Sequence, residues 1–216
     1  ASGVIFEDDG TEMLRIHNSS SDVIIESKVS DKDIIIKGND GGSTVTAATF
    51  DMSNAGQLIL PGGINFPDTQ VASSDANTLD DYEEGTWTPS FIDNAASTGT
   101  TSMTGSVGAY IKIGKMVHVQ FYWFVNSITT APSGLYAGVG GLPFTLANDS
   151  GYDYSGMAGT YSNINVPDGA ITVLFERNKA HGLFYSQKDN ANYSTISPDE
   201  IAASDTFYGT VTYRAA

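Results

Sequence analysis

Apolar residues occur along this chain in two rhythms. The change falls within Asn77-Thr78-Leu79-Asp80-Asp81-Tyr82-Glu83-Glu84-Gly85-Thr86-Trp87-Thr88-Pro89. Before that stretch, Val4-Ile5-Phe6, Met13-Leu14-Arg15-Ile16, Val23-Ile24-Ile25, Ile34-Ile35-Ile36 and Leu58-Ile59-Leu60 are brief runs parted by Ser, Asp, Asn and Gly. Runs of this length between turn residues read as short β-strands. After it the runs lengthen, carry aromatic residues and are parted by longer polar segments.

The first part contains an echo, Asp22-Val23-Ile24-Ile25 against Asp33-Ile34-Ile35-Ile36. Successive strand side chains point to opposite faces, so one sheet face cannot hide a whole apolar triplet. With few large side chains, this part cannot build a core of its own, and several copies burying their triplets together are expected. Residues 1–66 therefore read as a trimeric fibrous β-stem, the number three coming only from the resemblance given below. Asp8-Asp9-Gly10 and Asn39-Asp40-Gly41 lack the full ligand ladder of a calcium loop, and turn chemistry accounts for both.

The clearest element of the second part is a hairpin. Tyr110-Ile111-Lys112-Ile113 and Met116-Val117-His118-Val119 flank Gly114-Lys115, a two-residue turn with Gly first. The second strand continues to Val125, and its odd positions Val117, Val119, Phe121, Trp123 and Val125 form one apolar face, assigned to the core. The even positions His118, Gln120, Tyr122 and Phe124 turn the other way and change from polar to aromatic. A second hairpin is expected from Ala170–Glu176 and Leu183–Ser186, and a final strand from Phe207 to Arg214. Strands of this length with turns between them suggest a β-sandwich or jelly-roll-like head over residues 90–216.

Between the two parts, residues 67–89 read as a joint with one short acidic helix. Thr78 is placed to cap it, Asp81 stands three residues on, and Gly85 stops it. Its carboxylates Asp80, Asp81, Glu83 and Glu84 are expected to be a solvated face, since no His or Cys lies near to complete a metal or nucleophile site.

Composition narrows the function. The 216 residues include 23 Gly and 23 aromatic residues (11 Tyr, 10 Phe and 2 Trp), which favours an all-β chain. A formal charge of −15 speaks against nucleic acid and anionic membranes as partners. No apolar run reaches the length of a membrane span, so membrane insertion is not expected. The absence of Cys excludes a disulfide framework. The chain starts Ala1-Ser2-Gly3 and reads as a piece of something longer. No cofactor, metal site or catalytic residue is expected.

The joint phrase Asn77–Pro89, the strand Tyr110–Val119 and Gly141-Leu142-Pro143-Phe144 resemble tail-fibre proteins of marine bacteriophages. The ending Gly209-Thr210-Val211-Thr212-Tyr213-Arg214 is similar to the Gly-Thr-Tyr-Arg endings of that family, with two residues more between Thr and Tyr. The stem from Phe6 to Met52 resembles their shafts. The resemblance implies a homotrimer in the virion, assembled in the host cytoplasm, with a distal head that contacts a host-surface glycan or outer-membrane protein. It carries no enzymatic signature and transfers no ligand residue.

The residues themselves supply the candidate receptor site. Three long polar stretches of the head, 126–140, 148–165 and 187–205, carry Tyr136, Tyr152, Tyr154, Tyr161 and Tyr193. A phenol offers a sugar both a flat apolar face and a hydroxyl. Two other functions compete with adhesion. One is a structural segment that trimerises and ends the shaft. The other is a glycan-cleaving spike, which needs two facing carboxylates, with Glu176, Asp153 and Glu200 as candidates.

Overall fold

The structure is a computed structural model that describes residues 3–69, 71, 73, 75, 77–150, 154–166, 169–187 and 192–216. The side chains of residues 154–159 lie outside the description. Regular structure among the described residues is β, apart from two single-turn 3-10 helices. The chain divides into two units, Ala1–Asn65 and Phe66–Ala216.

The first unit holds two antiparallel meanders. One is β1 (Val4–Asp8), β2 (Thr11–Ser19) and β3 (Asp22–Ser27); the other is β4 (Ile34–Asp40), β5 (Ser43–Asp51) and β6 (Gln57–Ile59). Three of the turns have two residues, both at positive φ: Asp9-Gly10, Ser20-Ser21 and Gly41-Gly42. That geometry matches the twist of the strands it joins.

Register sorts the side chains. Val4 opposes Ile16, which opposes Ile25, while Phe6 opposes Leu14. These residues share one face. Ile5, Arg15, Glu26, His17 and Ile24 share the other. In the second meander Ile34 opposes Phe50, which opposes Leu58, and Ile36 opposes Ala48. Each meander thus has one largely apolar face, and the echoed triplets straddle both faces. No residue from Gly3 to Asn65 is buried; Val23 and Ile25 are 78% and 59% exposed.

The second unit is built on one long antiparallel sheet. Its strands are β7 (Tyr82–Trp87), β8 (Ser90–Asp93), β10 (Val107–Ile113), β11 (Met116–Phe124), β13 (Ala137–Gly140), β14 (Tyr154–Ser162), β15 (Ile171–Phe175), β16 (His181–Ser186), β17 (Ser194–Thr195) and β18 (Thr206–Arg214). They run in the order β7-β10-β11-β18-β14-β15-β16-β13-β8, with β17 beside β16. A separate ribbon pairs β9 (Thr100–Ser102) with β12 (Ser127–Thr130).

Strand β14 serves two neighbours in turn. Tyr154–Met157 pair with β15, and Ala158–Ser162 pair with β18, with a register shift between Ala158 and Thr160. The sheet folds over there, and its halves face each other across a common core. Trp123 of β11 meets Phe91 of β8 and Phe184 of β16 edge-on at 5.7 and 5.6 Å. Phe184 meets Phe207 of β18 at 5.1 Å. Val117, Val119, Phe121, Trp123 and Val125 are all buried, as their alternation requires. Gly114 opens the β10–β11 turn at φ +55°. Gly209 is held by close approach: a Cβ there would lie 2.5 Å from the Phe121 ring.

The expected acidic helix is absent. Residues 82–87 are β7, paired to β10 from Tyr82–Ile113 to Trp87–Gly108. One turn of helix must meet the nucleation cost alone, whereas the edge of β10 offers a full ladder of partners. The carboxylates are not a uniformly solvated face either. Asp81 is buried in an ion pair with Lys112, and Asp80 accepts the Ser73 N–H at 2.7 Å.

Candidate functional site

The structure brings two of the five expected tyrosines together, through a third residue that the sequence did not single out. Tyr136 lies just before β13, and its loop is fixed from below. Asn94 Oδ1 accepts the Leu135 and Tyr136 amides at 2.8 and 3.3 Å, and Asp93 Oδ2 accepts the Gly134 amide at 2.9 Å. The other oxygen of Asp93 accepts the amides of Ala95 and Ser97. Burial pushes the Asp93 carboxyl up, but these backbone donors outweigh it and leave its pKa below the ordinary value.

Tyr136 stands 6.1 Å from Tyr185, and Tyr185 meets Tyr193 edge-on at 4.8 Å. Tyr185 is buried on a small apolar layer with Ile92 and Leu183, Tyr136 is half-buried, and Tyr193 is 58% exposed. The result is a three-phenol cluster on β16 and the segments beside it. Alternation held the signal for Tyr185: Phe184 faces the main core, so Leu183 and Tyr185 turn to the other side of the sheet, where they too are buried.

The remaining tyrosines do not join this cluster. Tyr161 donates its hydroxyl to the Gly169 carbonyl at 3.2 Å and packs against the main core, pinning its own loop. Tyr154 pairs with Phe175 through its backbone, and its side chain lies outside the description. Tyr152 lies outside the described residues. The three expected polar stretches also contain β12, β13, β14 and β17.

A second feature is the outer face of β7, β10, β11 and β18. Register places Glu84, Ile111, His118 and Thr212 in one row across it, and Thr86, Ala109, Gln120 and Thr210 in the next. A third row is aromatic: Val107 lies beside Tyr122, whose ring stacks on Tyr208 at 4.8 Å. The small middle row is the floor of two adjoining hollows of about 620 and 670 Å³.

Glu200 accepts the Ser197 amide at 2.7 Å, capping the 3-10 turn Pro198–Glu200. Glu83 accepts the Tyr110 hydroxyl at 2.5 Å and pushes that phenol up to about 12. Glu84 accepts the Tyr82 hydroxyl at 3.0 Å. Glu176 follows β15 at a hairpin end, and Asp153 lies outside the described residues. Among the described residues no three His, Asp or Glu gather as metal ligands, and no helix is long and apolar enough to cross a membrane. His181, beside a hollow of about 450 Å³, is buried and held below its ordinary pKa by burial and Lys179.

No protein-family model matches the chain, and comparison with curated proteins and with solved structures found no match.

Proposed function

We propose that this chain is the distal part of a trimeric phage tail fibre, which attaches the virion to a host-surface glycan or outer-membrane protein without enzymatic action. The observation that carries this reading is the first unit. Its six strands are regular and hydrogen-bonded, yet no side chain from Gly3 to Asn65 is buried. Such a segment gains little from folding alone, because its apolar surface stays in water. Three copies closing their apolar faces on a common axis make it a stem. The second unit then serves as a head, a sandwich of the jelly-roll kind.

Its receptor surface is the Tyr136–Tyr185–Tyr193 cluster. Tyr193 presents an open ring, Tyr185 supports it, and Asn94 and Asp93 hold the Tyr136 loop, so little ordering remains to be done on binding. The charge of −15 favours a neutral glycan or a polar protein patch over an anionic polysaccharide.

The test is binding of the labelled protein to glycan arrays and to a panel of marine bacterial cells. Saturable binding that falls at least tenfold in Tyr136→Ala/Tyr193→Ala, with assembly unchanged, is expected. Saturable binding that the double variant retains would move the site elsewhere. Assembly without binding to any cell or glycan would leave a structural shaft segment, and release of reducing ends would make it a glycan-cleaving spike.

A further inference from the structure

We propose that the outer face of β7, β10, β11 and β18 is where the heads of the assembly pack against one another, its occupant being a second copy of this chain. The inference rests on the trimer proposed above and goes beyond it by placing a contact surface on the head.

Apolar side chains open to water lie toward both ends of the face, with Glu84, His118, Gln120, Thr86, Thr210 and Thr212 between them. Val107, Ile111, Ile113 and Met116 are 44–60% exposed, and Tyr82 and Tyr208 flank them at 44% and 49%. Register puts all six on one side of four adjacent strands. Monomeric proteins seldom leave contiguous apolar patches beyond a few hundred Å² open. Four strands spaced about 4.8 Å apart, each about 25 Å long, give the whole face, polar rows included, a footprint of roughly 500 Å². Side-chain relief enlarges that area, bringing it within reach of the ~800 Å² per partner that stable interfaces bury.

Relief and chemistry both favour a protein occupant. The small row Thr86, Ala109, Gln120 and Thr210 is a trough between bulkier rows, so ridges of another copy can enter it. Branched aliphatic side chains such as Ile111 and Ile113 offer a sugar neither a flat ring nor a hydrogen bond. Chains already joined through their first units also hold their second units at high effective concentration, so even a modest face associates.

The absence of Cys allows a direct test. Ile111→Cys and Val107→Cys each place one thiol on the face. Leu135→Cys places one on a loop residue that is 72% exposed. Under reducing conditions each full-length variant is treated with a maleimide, and its mass is measured in parallel by light scattering. The proposal expects trimers in which the thiols at 107 and 111 react at least tenfold more slowly than the thiol at 135, with rates that converge on denaturation. Equal rates in a sample shown to be trimeric would overturn this face while leaving the trimer intact. A monomer, whether its thiols are protected or open, would overturn both. Two positions are used so that one poorly folding variant does not decide the matter.

Discussion

Lys112 and Asp81, 31 residues apart in sequence, form a buried ion pair on the inner side of the β7–β10 edge. The ammonium also lies 5.4 Å from the centre of the Phe144 ring, and the Asp81 carbonyl accepts the Gly114 amide at 2.9 Å. One contact thus ties the segment entering β7 to the β10–β11 hairpin. Lys112→Met leaves the Asp81 carboxylate buried without a partner, which costs about 3–5 kcal/mol. Adding Asp81→Leu removes that charge and should recover most of the loss. Denaturant midpoints at one protein concentration check this; equal losses in the single and double variants would contradict it.

Trp123 is the second expectation. Its ring is fully buried between Phe91 and Phe184, and its indole N–H donates to the Ser90 carbonyl at 3.2 Å. Trp123→Ala should cost about 3–5 kcal/mol, the range for large aromatic truncations in cores. A variant that kept its melting temperature and lost only cell binding would show that the residue serves recognition instead.

Asp93 gives the second unit an acid-sensitive support. A carboxyl whose native pKa is depressed adds stability that is complete above its unfolded value, about 3.9. That stability is lost as pH falls through the lower native value. Asp93→Asn, which cannot keep all three amide contacts, should be about 1–3 kcal/mol less stable than wild type at pH 7. The gap should narrow below about pH 4 as the native carboxyl becomes protonated. Denaturant titrations at pH 7, 5 and 3 check the sign; a gap unchanged at pH 3 would remove Asp93 as the cause.

These residues also show what sequence reading reaches. The β11 face was legible because burial is one-sided, so Val117 to Val125 alternate with polar or half-buried neighbours. Strand β13, Ala137-Gly138-Val139-Gly140, was not, because all four residues are buried and alternation vanishes. Its glycines answer to distant neighbours: a Cβ on Gly138 would lie 2.3 Å from the Gly182 carbonyl oxygen, and one on Gly140 would lie 2.8 Å from the Ile92 side chain. The acidic stretch misled for a similar reason. Asp81 is buried by Lys112 and Glu83 is bound by Tyr110, and neither partner is local. At the site, the tyrosines in polar stretches were visible, but Tyr185 sits within a strand and Tyr161 is taken up by its own loop.

In the first unit, the triplets predicted unburied apolar side chains, and register now says which ones matter. Ile25 and Ile36 lie on the apolar faces, whereas Ile24 shares its face with Arg15, His17 and Glu26. In an isolated chain Ile25→Asp and Ile36→Asp touch only exposed positions and would shift stability by about 0.5 kcal/mol or less. In a closed stem each buries a charge without a partner, so the pair should dissociate the assembly, while Ile24→Asp is tolerated better. Sedimentation of the three proteins checks the order of effect; equal behaviour of Ile24→Asp and Ile25→Asp would contradict the assignment of faces.

The central claim is that copies of this chain cover the apolar faces left open in Gly3 to Asn65. Light scattering of the purified protein at micromolar concentration tests it most directly. The account predicts a single species at three times the 22.8 kDa chain mass, unchanged on tenfold dilution. A species of one chain mass at that concentration would contradict it.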